Sequence, residues 1–96
     1  MARPLLGDDD IARALATVSW TRTGERLTKT VKRADFRGAL AFVNAVGEVA
    51  EEMDHHPDIT ISWNTVTLEV TTHDSGGLTA SDFELARRID ALGEAG

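Results

Sequence analysis

The chain has 96 residues, no cysteine and a formal net charge of -6, which suits one domain over residues 1–96 and excludes disulfides and thiolate metal sites. Its acids are spread along the chain, which argues against a nucleic-acid backbone or an anionic membrane as partner, since both need clustered Lys and Arg. A domain this small buries only about 60–65% of the surface its unfolded chain exposes, so a homo-oligomer is the expected shelter.

In chain order, Asp8 is the expected N-cap of a first helix, with Asp9 and Asp10 favourable in its first turn. Ile11, Leu15 and Val18 recur at helical spacing, and the helix is expected to end near Val18. Residues 18–22 and 26–32 read as two strands around the hairpin loop Thr23-Gly24-Glu25. In the second strand Leu27, Lys29 and Val31 share one face, and Thr28, Thr30 and Lys32 the other. Lys29, Lys32 and Arg33 form the densest basic group, which an exposed strand explains as well as a binding patch does.

Asp35 opens the longest helix, expected to reach about Met53. Phe36, Leu40, Val43, Val46 and Ala50 form its apolar stripe, widened by Phe42, Val49 and Met53. It must stop before Pro57, because the residue preceding proline avoids the helical region. A second hairpin comes next, with Ile59, Ile61 and Trp63 alternating with Thr60 and Ser62. Val66, Leu68 and Val70 alternate with Thr67, Glu69 and Thr71, and Asn64-Thr65 fits a two-residue turn. Asp74-Ser75-Gly76-Gly77 reads as a loop. Thr79 then caps a last helix that buries Leu85, Ile89 and Leu92. The order α-β-β-α-β-β-α predicts an α+β domain, a four-stranded antiparallel sheet with three helices packed on one face. Its exposed edges invite pairing with a second copy.

The three histidines, His55, His56 and His73, lie in one 19-residue stretch. Imidazole is the side chain best able to exchange protons near neutral pH. A turn at Asn64-Thr65 sets Trp63 against Val66, Ser62 against Thr67 and Thr60 against Glu69. Asp58 then opposes Thr71, and His56 opposes His73 on the polar face. Glu51 lies one turn before His55 and can face it. Asp82, three residues after Thr79, fits a capping box, a role compatible with accepting a ligand hydrogen bond. Zinc on three His plus Glu51 is the weaker reading. His55 and His56 are adjacent and project differently, and the chain has no His-x-x-x-His or Cys ligands. Gly76-Gly77 lacks a phosphate-binding fingerprint. No apolar run approaches the roughly 18 residues of a membrane span. Residues 1–6 are too short for the apolar region of a signal peptide, and a cytoplasmic protein is expected.

Taken together, Glu51, His55-His56-Pro57, Trp63, Thr72-His73-Asp74, Gly76-Gly77-Leu78-Thr79 and Asp82 resemble the motif of the pterin-4a-carbinolamine dehydratases. Asp35-Phe36 and Phe42, with Leu85-Ala86 and Ile89-Asp90, extend the resemblance over almost the whole chain. The resemblance implies dehydration of 4a-hydroxytetrahydropterins to quinonoid dihydropterins, in tetrahydropterin recycling, with no metal or organic cofactor. It implies proton transfer by His55 and His73 and pterin orientation by His56, without deciding which histidine is acid and which base. Glu51 and Asp82 would position histidines or bind pterin, and Pro57, Thr72 and Asp74 would line the pocket. Aromatic amino-acid hydroxylases would be linked through the metabolite. The alternative the family also offers is a non-catalytic module that binds pterin or stabilises dimers of partner proteins.

Overall fold

The computed structural model describes residues 3–93. Its elements are α1 (Asp8–Leu15), β1 (Thr21–Thr23), β2 (Arg26–Lys32), α2 (Phe36–Met53), β3 (Asp58–Ser62), β4 (Thr65–Val70) and α3 (Ala80–Asp90). A single 3-10 turn, His73–Ser75, lies between β4 and α3. The strands form one antiparallel sheet in the order β1-β2-β4-β3, the expected α+β arrangement.

Period-two alternation puts Val66, Leu68 and Val70 of β4 on one face, with Leu27 of β2 opposite Val70. These four are buried in one cluster with Ile11 of α1, Ala39, Phe42 and Val46 of α2, and Phe83, Leu85, Ala86 and Ile89 of α3. Phe42 is 2% exposed, and truncating such a side chain to alanine costs about 3–5 kcal/mol. The opposite sheet face carries Thr28, Thr30, Thr67 and Glu69, none of them buried. Asp35 caps α2 through its side chain, which accepts the Gly38 N–H at 2.8 Å.

Several boundaries differ from the sequence expectation. Gly7, not Asp8, is the N-cap of α1 and offers no side-chain bond, while Asp8, Asp9 and Asp10 fill the first turn. The helix stops at Leu15 rather than near Val18. The first strand begins at Thr21 because the preceding residues are tied to α3: Ser19 N–H and Trp20 Nε1–H both donate to the Asp90 carboxylate, at 2.8 and 2.9 Å. Its hairpin is tighter than expected, with Thr23 paired to Arg26 and Gly24 at φ 61.

The apolar stripe of α2 is also displaced. Ala39, Phe42, Val46 and Ala50 are buried, whereas Phe36 and Leu40 are 48% and 41% exposed. One edge of the expected stripe therefore faces outward.

The second hairpin turns at Trp63-Asn64, not Asn64-Thr65, because Ser62 pairs with Thr65. Trp63 accepts a left-handed φ of 51, an uncommon conformation for a bulky residue. Asn64 holds it there: its side chain donates to Arg33 O at 2.9 Å, and its carbonyl accepts Arg33 N–H at 2.8 Å. The register therefore moves by two residues. Thr60 opposes Thr67 and Asp58 opposes Glu69, so the expected pairing of His56 with His73 does not form.

Candidate functional site

The C-terminus of α2 decides where the first two histidines go. Asp54 takes the left-handed conformation, φ 50 and ψ 44, which Asp tolerates better than most residues. His55 N–H then donates to Ala50 O at 3.1 Å, closing the helix. This reversal turns the His55 ring inward, where it is 6% exposed, and leaves His56 exposed. Glu51 consequently meets His56 Nε2 through its carboxylate rather than His55; the expected i,i+4 pairing with His55 is lost because the helix ends between them.

The other side of the site comes from the chain after β4. Thr72 is 2% exposed, and its N–H donates to Gly77 O at 3.1 Å. His73 starts the 3-10 turn and stays exposed, and Gly76, at φ 77, closes the turn where a side chain would be strained.

Asp82 is fully buried and joins the two halves. Its Oδ2 accepts the Thr79 N–H and the Thr72 hydroxyl, each at 2.8 Å. The first of these bonds completes the capping box of α3. Oδ1 lies 2.7 Å from His55 Nε2. A buried carboxylate with all its bonds made is tolerable where an unpaired one is not. The Thr79 hydroxyl, 2.8 Å from Thr72 Oγ1, continues the network.

Arg3 completes it from the N-terminal segment. Its Nη1 lies 3.1 Å from His55 Nδ1. A guanidinium only donates, so Nδ1 must accept, which puts the ring proton on Nε2 and aims it at Asp82. This contact assigns His55 the Nε2–H tautomer, and the ring borders a cleft of about 230 Å³. The cleft is lined by Arg3, Asp54, His55, His56, Thr72, His73 and Asp74.

All three histidines, with Thr72 and Asp74, thus line one cleft. Asp82 sits beneath it through His55 and Thr72, Glu51 reaches it through His56, and Pro57 follows His56 outside the lining. Arg3 and Asp54 were not picked out from the sequence. Asp54 is visible only as the residue between a helix end and a histidine, and no local pattern marks Arg3, which is 52 positions from its partner. A larger cleft of about 280 Å³ lies between β2, Phe42 and the end of α3, bordered by Gly93, the last described residue. It contains no histidine, and its Lys29 is paired with Asp90 at 2.6 Å. Among the described residues no group of three or more His, Cys, Asp or Glu could hold a metal ion.

The fold and the cleft define a small α+β domain whose three histidines converge on one cleft. The family model for pterin 4 alpha carbinolamine dehydratase matches residues 4–92, and the chain belongs to that family. A relative from Nocardia farcinica is 48% identical over 93 residues, covering 96% of this chain and 98% of its own. One from Thermomicrobium roseum is 50% identical over 93 residues, with the same coverage. Both carry the dehydratase name only provisionally. Among solved structures, a transcriptional coactivator/pterin dehydratase from Brucella melitensis superposes with TM-score 0.88 at 29% identity, covering 93% of this chain and 98% of its own. A pterin dehydratase-like protein described as a RuBisCO assembly factor in the alpha-carboxysome shares the fold, with TM-score 0.63 at 22% identity over 78% of this chain and 87% of its own.

Proposed function

We propose that this chain is a dehydratase that converts a 4a-hydroxytetrahydropterin to the quinonoid dihydropterin and water, in tetrahydropterin recycling. The observation that carries the reading is the convergence of three histidines on one cleft, one of them held from beneath by a buried carboxylate. The elimination breaks the C4a–O bond, and the hydroxyl leaves as water after taking a proton. The N5–H proton goes to a base, and its electron pair forms the N5=C4a double bond. His55, whose Nδ1 accepts the Arg3 N–H in the free protein, suits the base once that bond is released. His73, exposed at the cleft, suits the acid. His56, braced by Glu51, suits pterin orientation, with Thr72 and Asp74 lining the pocket and Pro57 fixing the chain after His56. The groups needed are all side chains, so metal and organic cofactors have no step to perform. The reading is tested by mixing the protein with freshly generated 4a-hydroxytetrahydropterin and following its loss against the uncatalysed reaction.

The protein acts in this reading as a cytoplasmic homo-oligomer, a dimer or tetramer, with an aromatic amino-acid hydroxylase linked by the metabolite alone. Exposed apolar side chains support the self-association: Phe36 and Leu40 on α2, and Ile59 at 37% and Trp63 at 67% on or beside the edge strand β3. The same side chains favour the second reading, a non-catalytic module that stabilises dimers of a partner protein. The two separate cleanly, because the module does not need the histidines.

A further inference from the structure

Arg3 belongs to no motif in the chain, yet it is built into the cleft. The segment that carries it is tied to the start of α3. Leu6 N–H donates to Leu78 O at 3.0 Å, Leu5 bridges Thr79, and the Ser75 hydroxyl donates to Arg3 O. A Cβ at Gly77 would stand 2.5 Å from Glu25 Oε2 and 3.1 Å from Leu5 Cδ2. The guanidinium is only partly exposed. Among the described residues its side chain has one hydrogen-bond partner, His55 Nδ1, and no carboxylate. A guanidinium has five N–H donors, so most of this one's capacity is unspent inside the cleft.

The pair it forms with His55 is a donor beside an acceptor, each satisfying the other in the free protein. A 4a-hydroxytetrahydropterin carries the complement on one edge: the C4 carbonyl oxygen, an acceptor, next to N5–H, a donor. Arg recognises the corresponding carbonyl edge of guanine, whose pyrimidine ring has the same substituents. Asp54 and Asp74, acceptors only, also line the cleft, and they match the donors at N3 and the 2-amino group.

We propose that Arg3 is the residue that selects the 4-oxo group of the substrate. On binding, Arg3 transfers its N–H from His55 Nδ1 to O4, and the freed lone pair faces N5–H. Arg3 therefore discriminates between ligands by what they carry at carbon 4, and the base is uncovered when O4 replaces Nδ1 as its acceptor. This rests on the dehydratase reading.

The test is calorimetric binding of tetrahydrobiopterin and 4-amino-tetrahydrobiopterin, kept anaerobic, to the wild type, Arg3→Ala and Arg3→Lys. The two ligands differ at carbon 4, an acceptor against a donor group, and at N3, which carries a proton only in the oxo compound. The wild type is expected to prefer the oxo compound by about 10- to 100-fold, the usual worth of a hydrogen bond from a charged donor. Arg3→Ala should cut the ratio by about that factor, leaving only what N3 contributes, and Arg3→Lys should cut it less. For the carbinolamine itself, Arg3→Ala should raise KM by a larger factor than it lowers kcat. An equal ratio in the wild type and Arg3→Ala, with dehydration intact in the wild type, would overturn the role of Arg3 and leave the dehydratase reading standing. A wild type that neither binds the oxo compound nor dehydrates the carbinolamine would overturn both. A thermal melt shows whether each variant is folded, and Arg3→Lys, which keeps the charge, supplies a second comparison should Arg3→Ala unfold.

Discussion

Replacing Asp82 by Asn changes one atom and no shape, yet it reverses the polarity of a buried network. Two donors, the Thr79 N–H and the Thr72 hydroxyl, converge on Oδ2, so the amide oxygen must take that place. The amide nitrogen then faces His55 Nε2, 2.7 Å away. Nε2 must become an acceptor, the ring proton moves to Nδ1, and that N–H points at the Arg3 guanidinium, another donor. The Nδ1 lone pair is gone. If that lone pair is the base, the chemical step should slow by about 10²–10⁴. Stability should fall by about 1–3 kcal/mol for the mispaired buried donors, which in a domain of this size lowers Tm by about 5–20 °C. Single-turnover loss of the carbinolamine, with the uncatalysed rate subtracted, reads the first effect, and a calorimetric melt reads the second. Asp82→Ala should be less stable still, since it leaves the Thr79 N–H, the Thr72 hydroxyl and His55 Nε2 without their acceptor. A folded Asp82→Asn protein that kept its rate within about threefold of wild type would refute the assigned tautomer.

Single-turnover kinetics of His55→Ala and His73→Ala should show losses of about 10²–10⁴ each. The double variant should lose far less than the product of the two, as expected of one proton-transfer unit. His56→Ala should act mainly on KM, and equal rates for all three single variants and wild type would favour the interaction-module reading. Activity should survive exhaustive chelation; a loss that added zinc restores would revive a metal role. Sedimentation at micromolar concentration should show a dimer or tetramer, and a lone 10.4 kDa species would remove the self-association.

Much of the fold was legible in the sequence because it is local. Asp35 and Thr79 cap α2 and α3 as expected, and the alternation of Val66, Leu68 and Val70 fixes the inward face of β4. What was not legible depends on distant contacts. Trp63 enters a left-handed turn only because Asn64 is held by Arg33, 31 positions away; that moved the hairpin register and removed the expected pairing of His56 with His73. Glu51 has helical spacing to His55, but the left-handed Asp54 ends the helix first and passes Glu51 to His56. Phe36 and Leu40 satisfy the helical period yet stay exposed. The nearness of Asp82 to His55 comes from tertiary packing across 27 positions, and that of Arg3 across 52. Neither has a periodic signal.

The most direct measurement is stopped-flow loss of a 4a-hydroxytetrahydropterin generated in the mixing chamber, at several concentrations of the wild-type protein. A dehydratase should give a rate above that of buffer, rising in proportion to protein and abolished in the His55→Ala/His73→Ala double variant. A wild-type rate indistinguishable from buffer at every concentration would contradict the catalytic role of the cleft.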